Sequence, residues 1–202
     1  YLTVGHTFAL YQLLVSGPDT ISPLSGRELV NRKVKSWVAL GGLGAANDEG
    51  SYARDWNFFF NGAAEYTLFL TQHFPRPVYY IDAGSRVMTG RSLKHAPPGD
   101  MVRTVYRDWL WNVFGKTLDH QRPSWDLAAV YYAVKGQGEF LENLGKGHLL
   151  IDPEKGSKWI PGDHPVDQNY IRQKKYTNES FADYLNLRIL PPGKKAVKLL
   201  YT

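Results

Sequence analysis

Acids and amides crowd one short stretch of this sequence. Between Gly41 and Ala64 the chain reads GGLGAANDEGSYARDWNFFFNGAA, which places Asn47, Asp48, Glu49, Asp55, Asn57 and Asn61 close together. Carboxylates accept hydrogen bonds and amides both donate and accept, so the cluster is equipped to hold a polar ligand. The stretch follows the apolar run Trp37 to Leu40, and in open α/β sheets ligands bind just beyond the carboxyl ends of strands. Gly, Asn and Asp are equally what an ordinary solvated loop requires, so both readings stand on the local pattern. A further acid, Asp126, lies in Arg122-Pro123-Ser124-Trp125-Asp126, directly before the apolar run Leu127 to Val134. Pro and Ser there are helix-start signals, and a carboxylate in a first turn also suits the positive end of the helix dipole.

Other chemistries find little support. The six histidines show no metal-ligand spacing such as HExxH. Gly136-Gln137-Gly138 and Gly145-Lys146-Gly147 read as hairpin or turn glycines, since neither follows a strand and opens a helix. Ser85 and Ser124 have no nucleophile-elbow pattern around them. Trp109, Trp111, Trp125 and Trp159 are able to stack on a sugar or base, although tryptophan is also a common core residue.

The elements that must position these residues alternate. Leu2 to Val4 reads as the end of a strand, Gly5-His6-Thr7 as a turn, and Phe8 to Val15 as a helix that the Thr7 hydroxyl would cap. A short polar helix over Arg27 to Lys33 leads into a strand over Val34 to Leu40. Ala63 to His73 has apolar residues at helical spacing, and Val78 to Ile81 is a short β-branched and aromatic strand with Asp82-Ala83-Gly84-Ser85 at its exit. Met101 to Val113 is helical in period, with Val102, Val105, Tyr106, Trp109 and Val113 on one side. After Gly136 short alternating segments predict an antiparallel meander, and Asn178 to Leu190 a final helix.

The fold class expected is therefore α/β: an open, mostly parallel sheet flanked by helices, with a small antiparallel β segment near the carboxyl terminus. We divide it into an α/β core over 1–135 and a meander plus helix over 136–202, within a single domain or the carboxyl-terminal part of one. A chain of 202 residues with 43% apolar content is long enough for a real core. Thirteen Tyr, nine Phe and six Trp against two Met suggest a stiff interior. No apolar run approaches the length of a membrane span, and no secretory segment opens the chain, which starts at Tyr1. The absence of cysteine removes disulfides, thiolate chemistry and Cys-based zinc sites but leaves the compartment open. The net charge of +5 is spread out, with clusters only at Arg32 to Lys35, Arg172 to Lys175 and Lys194 to Lys198. No recognition motif accompanies them, so nucleic acid is not the partner expected.

Three segments together resemble one family. Gly5-His6-Thr7-Phe8-Ala9-Leu10, Gly41-Gly42 followed by Asp55-Trp56-Asn57, and Ser124-Trp125-Asp126-Leu127-Ala128-Ala129-Val130 are similar, in order and spacing, to the calcium-dependent nucleoside hydrolases of the inosine-uridine preferring family. The resemblance implies a nucleoside hydrolase-like sheet, entered mid-fold by this chain, and hydrolysis of the N-glycosidic bond of ribonucleosides. It implies calcium, with the Thr7 carbonyl and the Asp126 carboxylate as ligands. It puts Asp55 and Asn57 at the sugar, with both side chains on one face if the segment is extended, and Asn47 or Glu49 near a third sugar contact. Asp126 would also touch the ribose hydroxyls.

The departures are equally specific. The aspartate-rich motif that supplies most calcium ligands and the base is absent, so the resemblance places it upstream of Tyr1, on an amino-terminal fragment or a second chain of the same precursor. Asn61 replaces an aspartate, Trp125 stands where many members carry a histidine, and Asp55 is one methylene shorter than the usual glutamate. These departures motivate a second expectation, a non-catalytic sugar- or nucleoside-binding protein on the same fold. A basic interaction protein is a third.

Overall fold

The structure, a computed structural model, describes residues 1–42 and 52–191. In chain order the elements are β1 (Leu2–Thr3), α1 (Phe8–Val15), α2 (Gly26–Lys33), β2 (Trp37–Leu40), α3 (Trp56–Phe59), α4 (Ala63–His73), β3 (Val78–Asp82) and β4 (Met88–Thr89). They continue with α5 (Met101–Phe114), β5 (Arg122–Pro123), α6 (Trp125–Lys135), β6 (Leu141–Asp152), β7 (Gly156–Pro161), β8 (Gln168–Gln173) and α7 (Asn178–Asn186). Six strands form one sheet in the order β1-β2-β3-β8-β6-β7, and β4 pairs with β5 in a small antiparallel sheet. The protein is thus α/β, with a mostly parallel sheet flanked by helices.

Two compact units divide the chain: Tyr1–Ala83 with Ala128–Lys174, and Gly84–Leu127 with Lys175–Thr202. The first holds the six-stranded sheet. β1, β2, β3 and β8 run parallel, with Val38 beside Leu2, Val78 beside Trp37 and Tyr170 beside Tyr80. Strand side chains alternate between faces. Val78 and Tyr80 therefore enter a core with Trp37, Phe58, Phe74, Trp159 and Tyr170, while Tyr79 packs on the other side against Tyr132 of α6. Aromatic edges meeting faces fill this core: Tyr80 stands near-perpendicular to both Trp37 and Phe58.

A buried amide ties the parallel and antiparallel parts together. Gln168 Oε1 accepts from the Tyr80 hydroxyl at 3.0 Å and from the Leu149 amide at 2.9 Å, and its Nε2 donates to the Thr71 carbonyl at 2.8 Å. The carboxyl-terminal antiparallel strands expected from sequence are present, but they extend the main sheet, because β8 pairs with β3 on one edge and β6 on the other. Gly145 lies within β6, not in a hairpin turn. The register slips between Asn143 and Lys146, and the Gly145 amide donates to Asn143 Oδ1 in that bulge.

Local signals explain most boundaries. Ser25 and Glu28 form a reciprocal capping box on α2, and the strand expected from Val34 begins only at Trp37, because the Val34 amide still donates to Val30 at the helix end. Thr7 precedes α1 but does not cap it through its side chain; its hydroxyl bonds Thr67 Oγ1 at 2.8 Å instead. The tertiary partner outcompetes the local amide.

In the second unit, Asp100 caps α5 by accepting from the Arg103 amide, and Gly115 ends it with φ 61°. The residue of α5 that is fully buried is Leu110, whereas Val102, Val105 and Val113 are exposed. Helical period identified the apolar stripe correctly but not which face the neighbours cover. The stretch Arg86 to Ser92, irregular in sequence, contains β4 and the start of a 3₁₀ turn over Arg91–His95. Asn186 at the end of α7 holds this turn, accepting from the Gly90 amide and the Ser92 hydroxyl.

Candidate functional site

At the exit of β2 two glycines turn the chain sharply. A Cβ on Gly41 would meet the Phe58 ring at 2.5 Å, and Gly42 has φ 73°, so both positions favour glycine. Asp55 is buried and holds this turn: its Oδ2 accepts from the Gly42 amide at 2.9 Å, and its Oδ1 caps α3 by accepting from the Phe58 amide at 3.0 Å. Burial pushes its carboxyl up from the usual range, opposed by the amides of Gly42 and Phe58 that favour the charge. Asn57 Nδ2 donates to the Leu40 carbonyl at 2.9 Å. The segment is helical from Trp56 rather than extended, and both polar groups are spent on the strand exit itself.

A short polar relay continues from Asn57. Its backbone carbonyl lies 3.3 Å from His6 Nδ1, and Asn61 Nδ2 lies 3.0 Å from His6 Nε2. A carbonyl only accepts, so in this arrangement His6 donates through Nδ1 and its Nε2 faces the Asn61 side-chain amide. The exposed Trp56 stacks on Phe60 with ring centroids 4.5 Å apart. Asn47 and Glu49 lie outside the described residues.

Asp82, at the exit of β3, was seen in sequence only as a turn residue. Its Oδ2 is 3.0 Å from the Tyr170 hydroxyl, which also lies 3.1 Å from the Gly42 carbonyl. Burial raises its pKa, while the Tyr170 hydrogen bond and the Arg172 charge work in the opposite direction. The carboxyl ends of β2 and β3 thus share one hydrogen-bonded junction.

The second unit presents a cavity of about 400 Å³. Thr89, Tyr106, Trp109, Arg122, Trp125 and Asp126 are among the residues of its wall. The β4–β5 pair and the buried hydroxyl contact between Thr89 and Ser124, at 2.6 Å, fix the chain just before α6. The Gly84 carbonyl accepts from the Ser124 amide there. Ser124 is held by this packing. Asp126 follows in the first turn of α6, exposed on one side yet walled by enough apolar surface that burial raises its pKa. The Tyr106 hydroxyl donates to the Thr89 carbonyl, leaving its ring as wall.

No family model matches the chain, and no curated protein matches it. The residues themselves therefore carry the functional reading.

Calcium takes about six to eight oxygen ligands. The Thr7 carbonyl accepts from the Tyr11 amide at 3.0 Å as the first bond of α1, and Thr7 is fully buried. Among the described residues no three His, Asp or Glu side chains gather as a metal group. No helix among the described residues is long and apolar enough to cross a membrane.

Proposed function

We propose that the chain binds a ribonucleoside or a related sugar in the Asp126 cavity, as a nucleoside hydrolase-like protein. The observation that carries this reading is the company Asp126 keeps: a carboxylate at a helix start, beside Tyr106, Trp109 and Trp125, on the wall of a cavity of about 400 Å³. Vicinal hydroxyls donate to a carboxylate, and aromatic faces pack against a base or the apolar face of a sugar ring. Ligand pockets of this size and mixed lining are typical of small-molecule sites.

Hydrolysis of an N-glycosidic bond asks for more: a base to activate water and groups that stabilise an oxocarbenium-like transition state. We assign these to carboxylates outside the described residues, on a further segment or a second chain, with calcium held there if it is used. Asp126 would then orient the sugar hydroxyls, and Trp125 would flank the base.

A second reading, binding without turnover, draws on a separate observation. Asp55 and Asn57, the residues aligned with the family's sugar contacts, have their side chains bonded to the Gly42 amide and the Leu40 carbonyl.

Calorimetric titration with inosine, uridine and ribose, paired with an assay for free base in added calcium, tests both readings. Binding lost in Asp126→Ala supports the cavity, and base release separates the hydrolase from the binding protein. Unchanged binding in Asp126→Ala would sink the assignment of the site.

A further inference from the structure

The Arg122 guanidinium carbon lies 5.1 Å from the ring centroid of Trp109 and 4.7 Å from that of Phe114, two rings that stand near-perpendicular to each other, so the cation is flanked by aromatic surface on two sides. The same residue belongs to the cavity wall that carries Asp126. Among the described residues, the hydrogen bonds and ion pairs of the protein engage Arg172, Arg107 and Lys94 with carboxylates, but no carboxylate or carbonyl meets the Arg122 fork. Its five N–H donors are therefore held beside the rings without an acceptor among the described residues. Arg122 and Asp126 share the wall as opposite charges that do not pair with each other.

We infer that Arg122 is the anion-recognising residue of this cavity, and that the ligand is a sugar bearing an oxyanion, either a phosphate ester or a carboxylate. The inference rests on the proposed sugar site at Asp126 and names its ligand class. Three observations converge on it. The planar fork matches two oxygens of a phosphate or carboxylate, which a point charge does not. Packing between the Trp109 and Phe114 rings restrains the side chain in advance, so less rotamer freedom is lost on binding. Asp126 repels an oxyanion but accepts from hydroxyls, so the two charges orient a ligand that has an anionic end and a hydroxylated end. An uncharged nucleoside would leave the Arg122 donors unused.

The test compares matched pairs on the full chain by calorimetry: ribose 5-phosphate against ribose, and glucuronate against glucose, with inorganic phosphate alone as the bare anion. Arg122→Lys keeps the charge without the fork, and Arg122→Gln removes the charge; circular dichroism confirms that each is folded. The expected result is an affinity for one anionic sugar about 10- to 100-fold above its neutral partner. That preference should fall to about twofold or less in Arg122→Gln and be only partly kept in Arg122→Lys. Which pair shows the preference tells phosphate from carboxylate. Equal affinity within both pairs, or a preference that survives Arg122→Gln, would overturn the role of Arg122 while leaving the Asp126 site standing. Inorganic phosphate binding as tightly as ribose 5-phosphate would overturn the sugar half of the inference. Binding by none of the probes, neutral nucleosides included, would overturn the site itself.

Discussion

The Tyr170 hydroxyl lies 3.0 Å from Oδ2 of Asp82, and a phenol has only one proton to give. The Gly42 carbonyl, 3.1 Å from the same oxygen, can only accept. The phenol proton therefore serves two acceptors, the Asp82 carboxylate and the Gly42 carbonyl, one at a time. Burial raises the Asp82 pKa, and the Tyr170 hydrogen bond and the Arg172 charge oppose that rise.

The pH dependence follows from this sign. A carboxyl whose folded pKa is raised contributes stability that is fully present below its unfolded value, near 3.8, and is lost as pH rises through the folded value. Asp82→Asn keeps an acceptor oxygen for the Tyr170 hydroxyl and has no charge to bury. Its unfolding free energy should therefore fall less than that of the parent as pH rises from about 4 toward neutrality. Urea melts across that window decide the matter, and parallel curves for the two proteins would refute the assignment.

Asp55 predicts the opposite response to amide substitution. Its two oxygens accept from two different amides, Gly42 and Phe58. Asn has one acceptor oxygen, so Asp55→Asn leaves a buried amide unpaired at a cost of about 1–3 kcal/mol. Asp55→Ala loses both bonds and the cap and should cost more. Denaturant midpoints at fixed pH give the comparison.

Gln168 should prove a costly residue to truncate. Gln168→Ala strands the Tyr80 hydroxyl, the Leu149 amide and the Thr71 carbonyl inside the sheet core, a loss of roughly 3–5 kcal/mol. Tyr80→Phe removes one hydroxyl and leaves Gln168 Oε1 with the Leu149 amide, so about 1 kcal/mol is expected. A smaller effect for Gln168→Ala than for Tyr80→Phe would contradict the network.

Gly41→Ala tests the strand exit sterically. The added Cβ would fall 2.5 Å from the Phe58 ring at a φ of 154°, so destabilisation of about 1–3 kcal/mol is expected. The double change Gly41→Ala with Phe58→Leu should recover part of that loss if the ring is the obstacle. A thermal melt of the three variants reads it.

Asp126→Ala, by contrast, should leave stability nearly unchanged, since the residue is exposed and no hydrogen bond of its side chain appears among the described residues. Its effect should appear in ligand affinity alone. A melt shifted as far as that of Asp55→Ala would mark Asp126 as structural.

Local rules made much of the architecture legible. The β-branched and aromatic run Val78 to Ile81, the helical period of Ala63 to His73 and the Pro-Ser start before Trp125 each depend on near neighbours, and each became the element expected. The α/β class followed from their order. The crowding of acids after Leu40 correctly marked the exit of β2, with Asn47 and Glu49 outside the described residues. What those acids do was not legible. Asp55 and Asn57 carry the composition of a sugar site, yet the Gly42 amide and the Leu40 carbonyl, distant in sequence, claim their side chains.

By itself the sequence determined the class of fold, most helix starts though not that of α3, and the position of Asp126 in a first turn, because capping, periodicity and turn chemistry act over a few residues. Tertiary structure alone decided that β8 inserts between β3 and β6, that Tyr170 reaches both Gly42 and Asp82, and that Arg122 packs between Trp109 and Phe114 on the cavity wall that carries Asp126. These contacts join residues far apart along the chain. They depend on which surfaces the folded elements bury against one another, and no local window of sequence contains that information.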